Sequence, residues 1–328
     1  MEAHHPEAPA SIGRVMPGDP PWLDRKLFPF ESRYLDLNGN RIHYIDEGGG
    51  PVLLFLHPSP TWSFVYREII AALRVNYRCV ALDLPGFGLT RAAADFGFGA
   101  REHAHVIQNF VQVRNLEEVV LVGHSQSGPI GLYAAERMSQ RLAGLVMTNT
   151  FAWRLDAYPR VKRMLELVGS PPYGLMDLAF NLTLWYFRHQ GMHRQLSPNE
   201  VAAYYGPFQT FRARVAHQRT MASLLQDTFL REVERSAERL AGLPALILFS
   251  DEDDRRTRGT TGTPSWTERF AGAFPNHRVV ILPKTRHFPQ EDAPAAMATA
   301  IDDWHRTSVQ DLAVSDKQYV QKEELARV

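Results

Sequence analysis

The sequence predicts a doubly wound, mostly parallel, eight-stranded α/β sheet interrupted by one helical insertion. Three observations carry that prediction. Short apolar runs alternate with helical patterns over most of the chain, the arrangement that builds parallel βαβ units. Runs such as Val52–Leu56 are apolar at every position, as expected of strands buried on both faces. Between Thr150 and Leu243 the alternation stops and only helical periodicity remains.

In chain order, residues 1–21 are rich in Pro, Gly and Ala and read as a loose N-terminal arm. Arg33–Leu37 and Arg41–Asp46 flank the turn signal Asn38-Gly39-Asn40, so they form a hairpin and make one sheet edge antiparallel. The later strands are expected at Val52–Leu56, Arg78–Leu82, Glu118–Val122, Leu142–Thr148, Ala245–Phe249 and Arg278–Leu282. Helices are expected at Trp62–Arg74, Ala100–Val113, Pro129–Met138, Pro264–Ala273 and Pro294–Arg306. Residues 22–150 and 243–308 then form one core, 151–242 a helical lid inserted into it, and 309–328 a charged tail. Within the lid, Val161, Met164, Leu165 and Val168 recur at helical spacing, as do Leu175, Leu178, Ala179 and Leu182.

Composition limits the function. The chain has 328 residues, and 36 Lys+Arg balance 36 Asp+Glu, so the basic footprint that nucleic acid requires is missing. No apolar run approaches the roughly 20 residues of a membrane span. The single cysteine, Cys79, forms neither an internal disulfide nor a cysteine metal cage. The first twenty residues lack the apolar stretch of a secretory signal, so a cytoplasmic location is expected. No cofactor or metal is expected, no nucleic acid or membrane partner, and the oligomeric state is left open. The neutral charge favours a neutral or weakly polar small-molecule substrate.

The chemistry centres on Gly123-His124-Ser125-Gln126-Ser127-Gly128, between a buried strand and a helix. A serine on such a tight turn presents its hydroxyl at the carboxyl end of the sheet. Small residues are needed two positions either side; Gly123 serves upstream, and Ser127 stands where glycine is usual downstream. Taken alone, the serines could simply cap the helix. A serine nucleophile needs an imidazole base, and the imidazole needs a carboxylate to fix its tautomer. His287 follows the last strand, at the same sheet edge as Ser125. The preceding strand ends in Asp251-Glu252-Asp253-Asp254, and a tight turn there brings Asp253 back over the sheet. A metal site on these four carboxylates is disfavoured by the arginines that follow and by the missing calcium-loop glycine. The order Ser125, Asp253, His287 is the one expected on a doubly wound sheet. For the oxyanion, the backbone N–H of Gln126 supplies one donor and that of Ser59, the only donor of Pro58-Ser59-Pro60, the other.

These segments resemble the α/β-hydrolase superfamily, and within it the haloalkane dehalogenase-like branch. The resemblance rests on PFESRYLDLNGNRIHYIDEG (29–48), HPSPTWSFVYR (57–67), DLPGFGLT (83–90), GHSQSG (123–128), AAYYGPF (202–208), LFSDEDD (248–254) and RHFPQED (286–292), in order along the chain. It implies the α/β-hydrolase fold, a cap domain and a catalytic triad. The departures are specific. Ser125 stands where that branch has an aspartate nucleophile, Gln126 where it has a halide-holding tryptophan, and Pro58-Ser59 where it has glycine and then Asn or Glu. In part of the branch a carboxylate follows the sixth strand; here the region holds Asn149, which leaves the acid to Asp253. Arg286 precedes His287 where glycine is common, and is expected to point outward.

The sequence thus predicts a serine hydrolase of the carboxylesterase or lactonase type, not an active haloalkane dehalogenase. Its substrate is expected to be a mainly apolar ester or lactone. Other chemistry on the same fold (C–C bond hydrolysis, thioester cleavage, perhydrolysis) and a non-turning ligand sensor are the alternatives. Trp62, Trp153, Trp185 and Phe208 are the expected pocket-lining residues, with Phe180, Tyr186 and Phe211 as further lid aromatics that either line the pocket or anchor the lid.

Overall fold

The computed structural model describes residues 18–257 and 263–310. Most of the expected arm and tail, and residues 258–262, lie outside the described residues.

The core is a single eight-stranded sheet in the order β1-β2-β4-β3-β5-β6-β7-β8. Its strands are β1 (Arg33–Leu37), β2 (Asn40–Glu47), β3 (Val52–Leu56), β4 (Arg78–Leu82), β5 (Val119–His124), β6 (Leu142–Thr148), β7 (Ala245–Ser250) and β8 (His277–Leu282). The β1–β2 hairpin is antiparallel, with Leu37 opposite Asn40, and β2 runs antiparallel to β4. All other neighbours are parallel. Strands β3, β5 and β7 are buried at every position, which is why their sequences do not alternate. Edge strand β8 exposes Val279 and Ile281.

Helices α1 (Arg67–Leu73), α2 (Ala100–Val113) and α3 (Ser127–Glu136) connect the first strands. The expected helix 62–74 begins instead as a short 3-10 turn, Ser63–Tyr66. There the Ser63 amide donates to Asp83 at 2.9 Å, and all four side chains are buried, so no solvent-facing stripe exists to phase an α-helix. Helix α3 begins two residues earlier than expected, because Pro129 is tolerated inside a first turn.

Between β6 and β7 run α4 (Pro159–Val168), α5 (Pro171–Phe180), α6 (Leu182–Gln190), α7 (Pro198–Tyr205), α8 (Phe211–Leu224) and α9 (Asp227–Arg239), with no strand. Ser197 starts α7 with a reciprocal capping pair to Glu200. After β7 come α10 (Asp251–Thr257), α11 (Trp266–Ala273), α12 (Pro289–Asp292) and α13 (Pro294–His305). No helix of the described residues is long and apolar enough to cross a membrane.

The inserted helices are tied to the core by a buried ionic cluster. Arg67, 2% exposed, donates to Glu291 and to Glu200, each at 2.6 Å. Arg194 pairs with the same two carboxylates, and the Tyr204 hydroxyl donates to Glu291. Burial opposes these charges, and only such mutual pairing makes them tolerable. The Trp62 indole adds a hydrogen bond to the Ala203 carbonyl at 2.9 Å.

Candidate active site

Ser125 sits between β5 and α3 with φ of +51°, a left-handed conformation that a non-glycine residue adopts only under constraint. The constraint is visible. The Ser125 amide donates to the Thr148 carbonyl at 3.1 Å, and the Thr150 hydroxyl donates to the Ser125 carbonyl at 2.6 Å. A Cβ on Gly123 would come within 3.1 Å of the Gly128 Cα, and one on Gly128 within 2.0 Å of Thr150 Oγ1. The close approach downstream therefore falls on Gly128, one residue beyond the expected position. Ser127 is not merely a small substitute. Its buried hydroxyl lies 2.7 Å from the Leu56 carbonyl and 2.9 Å from that of His124, and accepts from the His124 amide at 3.0 Å.

His287 Nε2 lies 3.1 Å from Ser125 Oγ, and His287 Nδ1 lies 2.5 Å from Asp253 Oδ2. The three residues come from three separate sheet ends, as the sequence predicts. Asp253 is on the first turn of α10 and not in a loop; its amide donates to Ser250 Oγ at 3.1 Å. Burial alone would raise its carboxyl pKa, but the charge and hydrogen bond of His287, with the Arg256 guanidinium 3.6 Å away, hold it below the usual carboxylate range. The other acids of the run have structural partners. Asp251 accepts from the Thr285 amide, Glu252 pairs with Arg256 and Arg286, and buried Asp254 accepts from the Thr267 hydroxyl. Arg286 does not point out into solvent as expected: it is half-buried, its Nε 3.3 Å from Glu252 Oε2 and its Nη1 donating to the Met192 carbonyl at 3.4 Å.

The backbone of His287 is held by residues whose part in holding it the local sequence did not show. Asn149 Nδ2 donates to the His287 carbonyl at 2.9 Å, and Asn149 Oδ1 accepts from the Ser250 amide at 2.8 Å. His124 Nε2 lies 2.8 Å from the same carbonyl, and Gln290 Nε2 lies 2.9 Å from His124 Nδ1. Burial, reinforced by the charge of His287, keeps the His124 imidazole far below its ordinary pKa. The neutral ring therefore carries its proton on Nε2, toward the carbonyl, and accepts from Gln290 at Nδ1. These contacts span more than a hundred residues of sequence, so local pattern does not encode them.

The Ser59 loop is braced in the same way. His57 Nε2 accepts from the Leu84 amide at 3.0 Å, which leaves Nδ1–H for the Pro58 carbonyl at 3.1 Å. Among the described residues, neither the Ser59 amide nor the Gln126 amide donates to a protein acceptor. The Ser59 hydroxyl instead meets His217 of α8, another partner the sequence did not announce. Gln126 is 2% exposed, yet its Oε1 and Nε2 have no hydrogen-bond partner among the described residues.

Only one of the expected lining residues borders the cavity beside this loop. That space is small, about 10 Å³, and is lined by Phe208 together with Pro60, Asp177, Arg214 and His217. Trp62 is in the core, stacked on Phe64. Trp153 packs on Phe270, with Arg269 over its ring. Trp185 is 53% exposed and stacks on His189. Phe180, Tyr186 and Phe211 are also exposed, so they neither line this cavity nor anchor the insertion. Aromatic content alone does not tell a helix's inward face from its outward one. Among the described residues no group of three or more His, Cys, Asp or Glu side chains is disposed to hold a metal ion.

Comparison with known proteins agrees with this fold. Haloalkane dehalogenase 2 of Mycobacterium tuberculosis is 36% identical over 280 residues, covering 85% of this chain and 96% of that protein. The cis-3-alkyl-4-alkyloxetan-2-one decarboxylase of Shewanella oneidensis is 29% identical, covering 69% of this chain and 75% of its own length. The crystal structure of a loop variant of a haloalkane dehalogenase from Bradyrhizobium elkanii superposes with a TM-score of 0.76 at 20% identity, over 88% of this chain and 99% of that one. The model of the alpha/beta hydrolase family matches residues 53–300, and the chain belongs to that family.

Proposed function

We propose that this enzyme is a serine hydrolase that cleaves a carboxylic ester or lactone through an acyl-enzyme intermediate. The observation that carries this reading is the line from Ser125 Oγ through the His287 ring to Asp253, at 3.1 and 2.5 Å. His287 Nε2 takes the Ser125 proton as the hydroxyl attacks the carbonyl carbon, and Asp253 holds the ring with Nδ1 protonated. The Ser59 and Gln126 amides, free of protein acceptors, receive the oxyanion. His287 then protonates the leaving alcohol and afterwards activates water against the acyl-serine. Residues 151–242 act as a lid over the nucleophile.

Several relatives are dehalogenases by name, but the nucleophile argues for acyl chemistry here. A carboxylate that displaces halide forms an ester, which water cleaves. A serine would form an alkyl ether, which water does not cleave, and turnover would stop. The relative named for an oxetan-2-one, a lactone, favours an acyl substrate. A fluorophosphonate probe is expected to label the native protein at Ser125 and to leave Ser125→Ala unlabelled. An unlabelled native protein, or repeated halide release from a haloalkane, overturns the reading.

A further inference from the structure

The cavity beside the Ser59 loop has apolar walls at Pro60, Leu184 and Phe208 and polar ones at Asp177, Arg214 and His217. His217 is 3% exposed. Burial holds its imidazole below the ordinary pKa, against the opposing pull of Asp177, so the ring is neutral. The Asp177 carboxylate on the Nε2 side favours the tautomer with the ring proton on Nε2, in which the Ser59 hydroxyl donates to Nδ1. That nitrogen has no hydrogen-bond partner among the described residues and lies 3.9 Å from Asp177 Oδ2, too far for a direct bond. Asp177 itself is fixed, by the Thr183 amide at 2.7 Å and Gln218 Nε2 at 2.6 Å. Arg214 Nε is likewise buried and unpartnered, while its other nitrogens reach the carbonyls of Leu178, Ala179 and Gln209. Each such orphan is costly to leave unmade, and a bound ligand group removes that cost.

We propose that this cavity is a substrate subsite for a hydroxyl group, which accepts from His217 Nε2 and donates to Asp177 Oδ2. One oxygen at about 2.8 Å from each atom spans the gap between them. An alkyl group leaves the polar atoms unpartnered, and a carboxylate has no proton to donate to Asp177 Oδ2. The subsite rests on the serine-hydrolase reading and sharpens it: the preferred ester carries a hydroxyl on the portion that lies against the Ser59 loop.

Methyl butyrate and its 2-, 3- and 4-hydroxy derivatives test this through acid release by the native protein and by His217→Phe and Asp177→Ala. At least one hydroxy ester is expected to exceed methyl butyrate about tenfold or more in kcat/KM. That ratio is expected to fall toward one in the variants. Because it is a ratio, it is insensitive to any general loss caused by disturbing Ser59. If Asp177→Ala does not fold, His217→Phe decides. No preferred hydroxy ester, or a preference that survives in His217→Phe, overturns the subsite. Calorimetric binding of the same four esters to Ser125→Ala reads the subsite without turnover: tighter binding of a hydroxy ester supports it, and equal or undetectable binding of all four overturns it. Fluorophosphonate labelling separates the two readings. Labelling without hydroxyl preference removes the subsite alone, and absence of labelling removes the hydrolase reading.

Discussion

Asn149 holds the carbonyl of His287 at 2.9 Å and does not touch its ring. It occupies the strand end where part of the dehalogenase-like branch keeps a carboxylate, but it serves the backbone of the base and not its charge. Asp253→Asn is expected to lower kcat by about 10⁴, because the amide favours the wrong imidazole tautomer. Adding Asn149→Asp is expected to restore none of it, since a carboxylate at 149 would face the His287 carbonyl, acceptor against acceptor. Steady-state kinetics on both variants check this. A double variant that regains more than about a tenth of native kcat would show that the 149 side chain reaches the ring.

Two glycines should respond in opposite directions to alanine. Gly128→Ala drives a Cβ into Thr150, which already bonds the Ser125 carbonyl, and is expected to cost about 1–3 kcal/mol or more. Gly272, in α11, has open space around the added carbon. There alanine is expected to stabilise by about 0.4–1 kcal/mol. Urea denaturation of the two variants measures both; equal effects would refute the crowding argument at the elbow.

Gln126 buries an amide with neither end satisfied among the described residues. Replacing it by methionine keeps the approximate shape and removes two unpartnered polar atoms. The variant is expected to gain about 1 kcal/mol and to melt about 2 °C or more above the native protein. An unchanged or lower melting temperature would mean that the amide finds partners in solution.

Acid should weaken the ionic cluster late. Burial opposes ionisation of Glu200, but the Arg194 hydrogen bond, the Ser197 amide and the Arg67 charge bring its pKa down from 4.5 to about 2. A folded-state pKa below the unfolded one contributes stability that is fully present above about pH 4.5 and is lost as pH falls toward 2. The melting-temperature gap between native protein and Glu200→Gln is therefore expected to be constant above about pH 5 and to close between pH 4.5 and 2. A gap that closes only on raising the pH would reverse the sign of this linkage.

The strands and the triad were legible because each rests on a local pattern. Val52–Leu56 is continuously apolar, and Ser125, Asp253 and His287 each follow a strand at one sheet edge. What was not legible depends on contacts distant in sequence. Nothing near His217 points to Ser59, and nothing near Arg67 points to Glu291, until the chain is folded. The tryptophans misled for a related reason. Trp62, Trp153 and Trp185 have the right chemistry for a pocket wall, but their orientation is set by neighbours such as Phe64, Phe270 and His189.

Glu291 lies in the short helix just after His287 and bonds at once to Arg67 of the core and to Arg194 and Tyr204 of the insertion. Peeling α7 from the sheet would therefore tug on the segment that carries the base. On α4 to α6, Leu167, Leu175, Met176, Phe180 and Trp185 are exposed, while Leu184 and Phe187 are buried, the latter against Tyr204 and Phe288. The contacts that seat the insertion thus also fix the segment that carries the base.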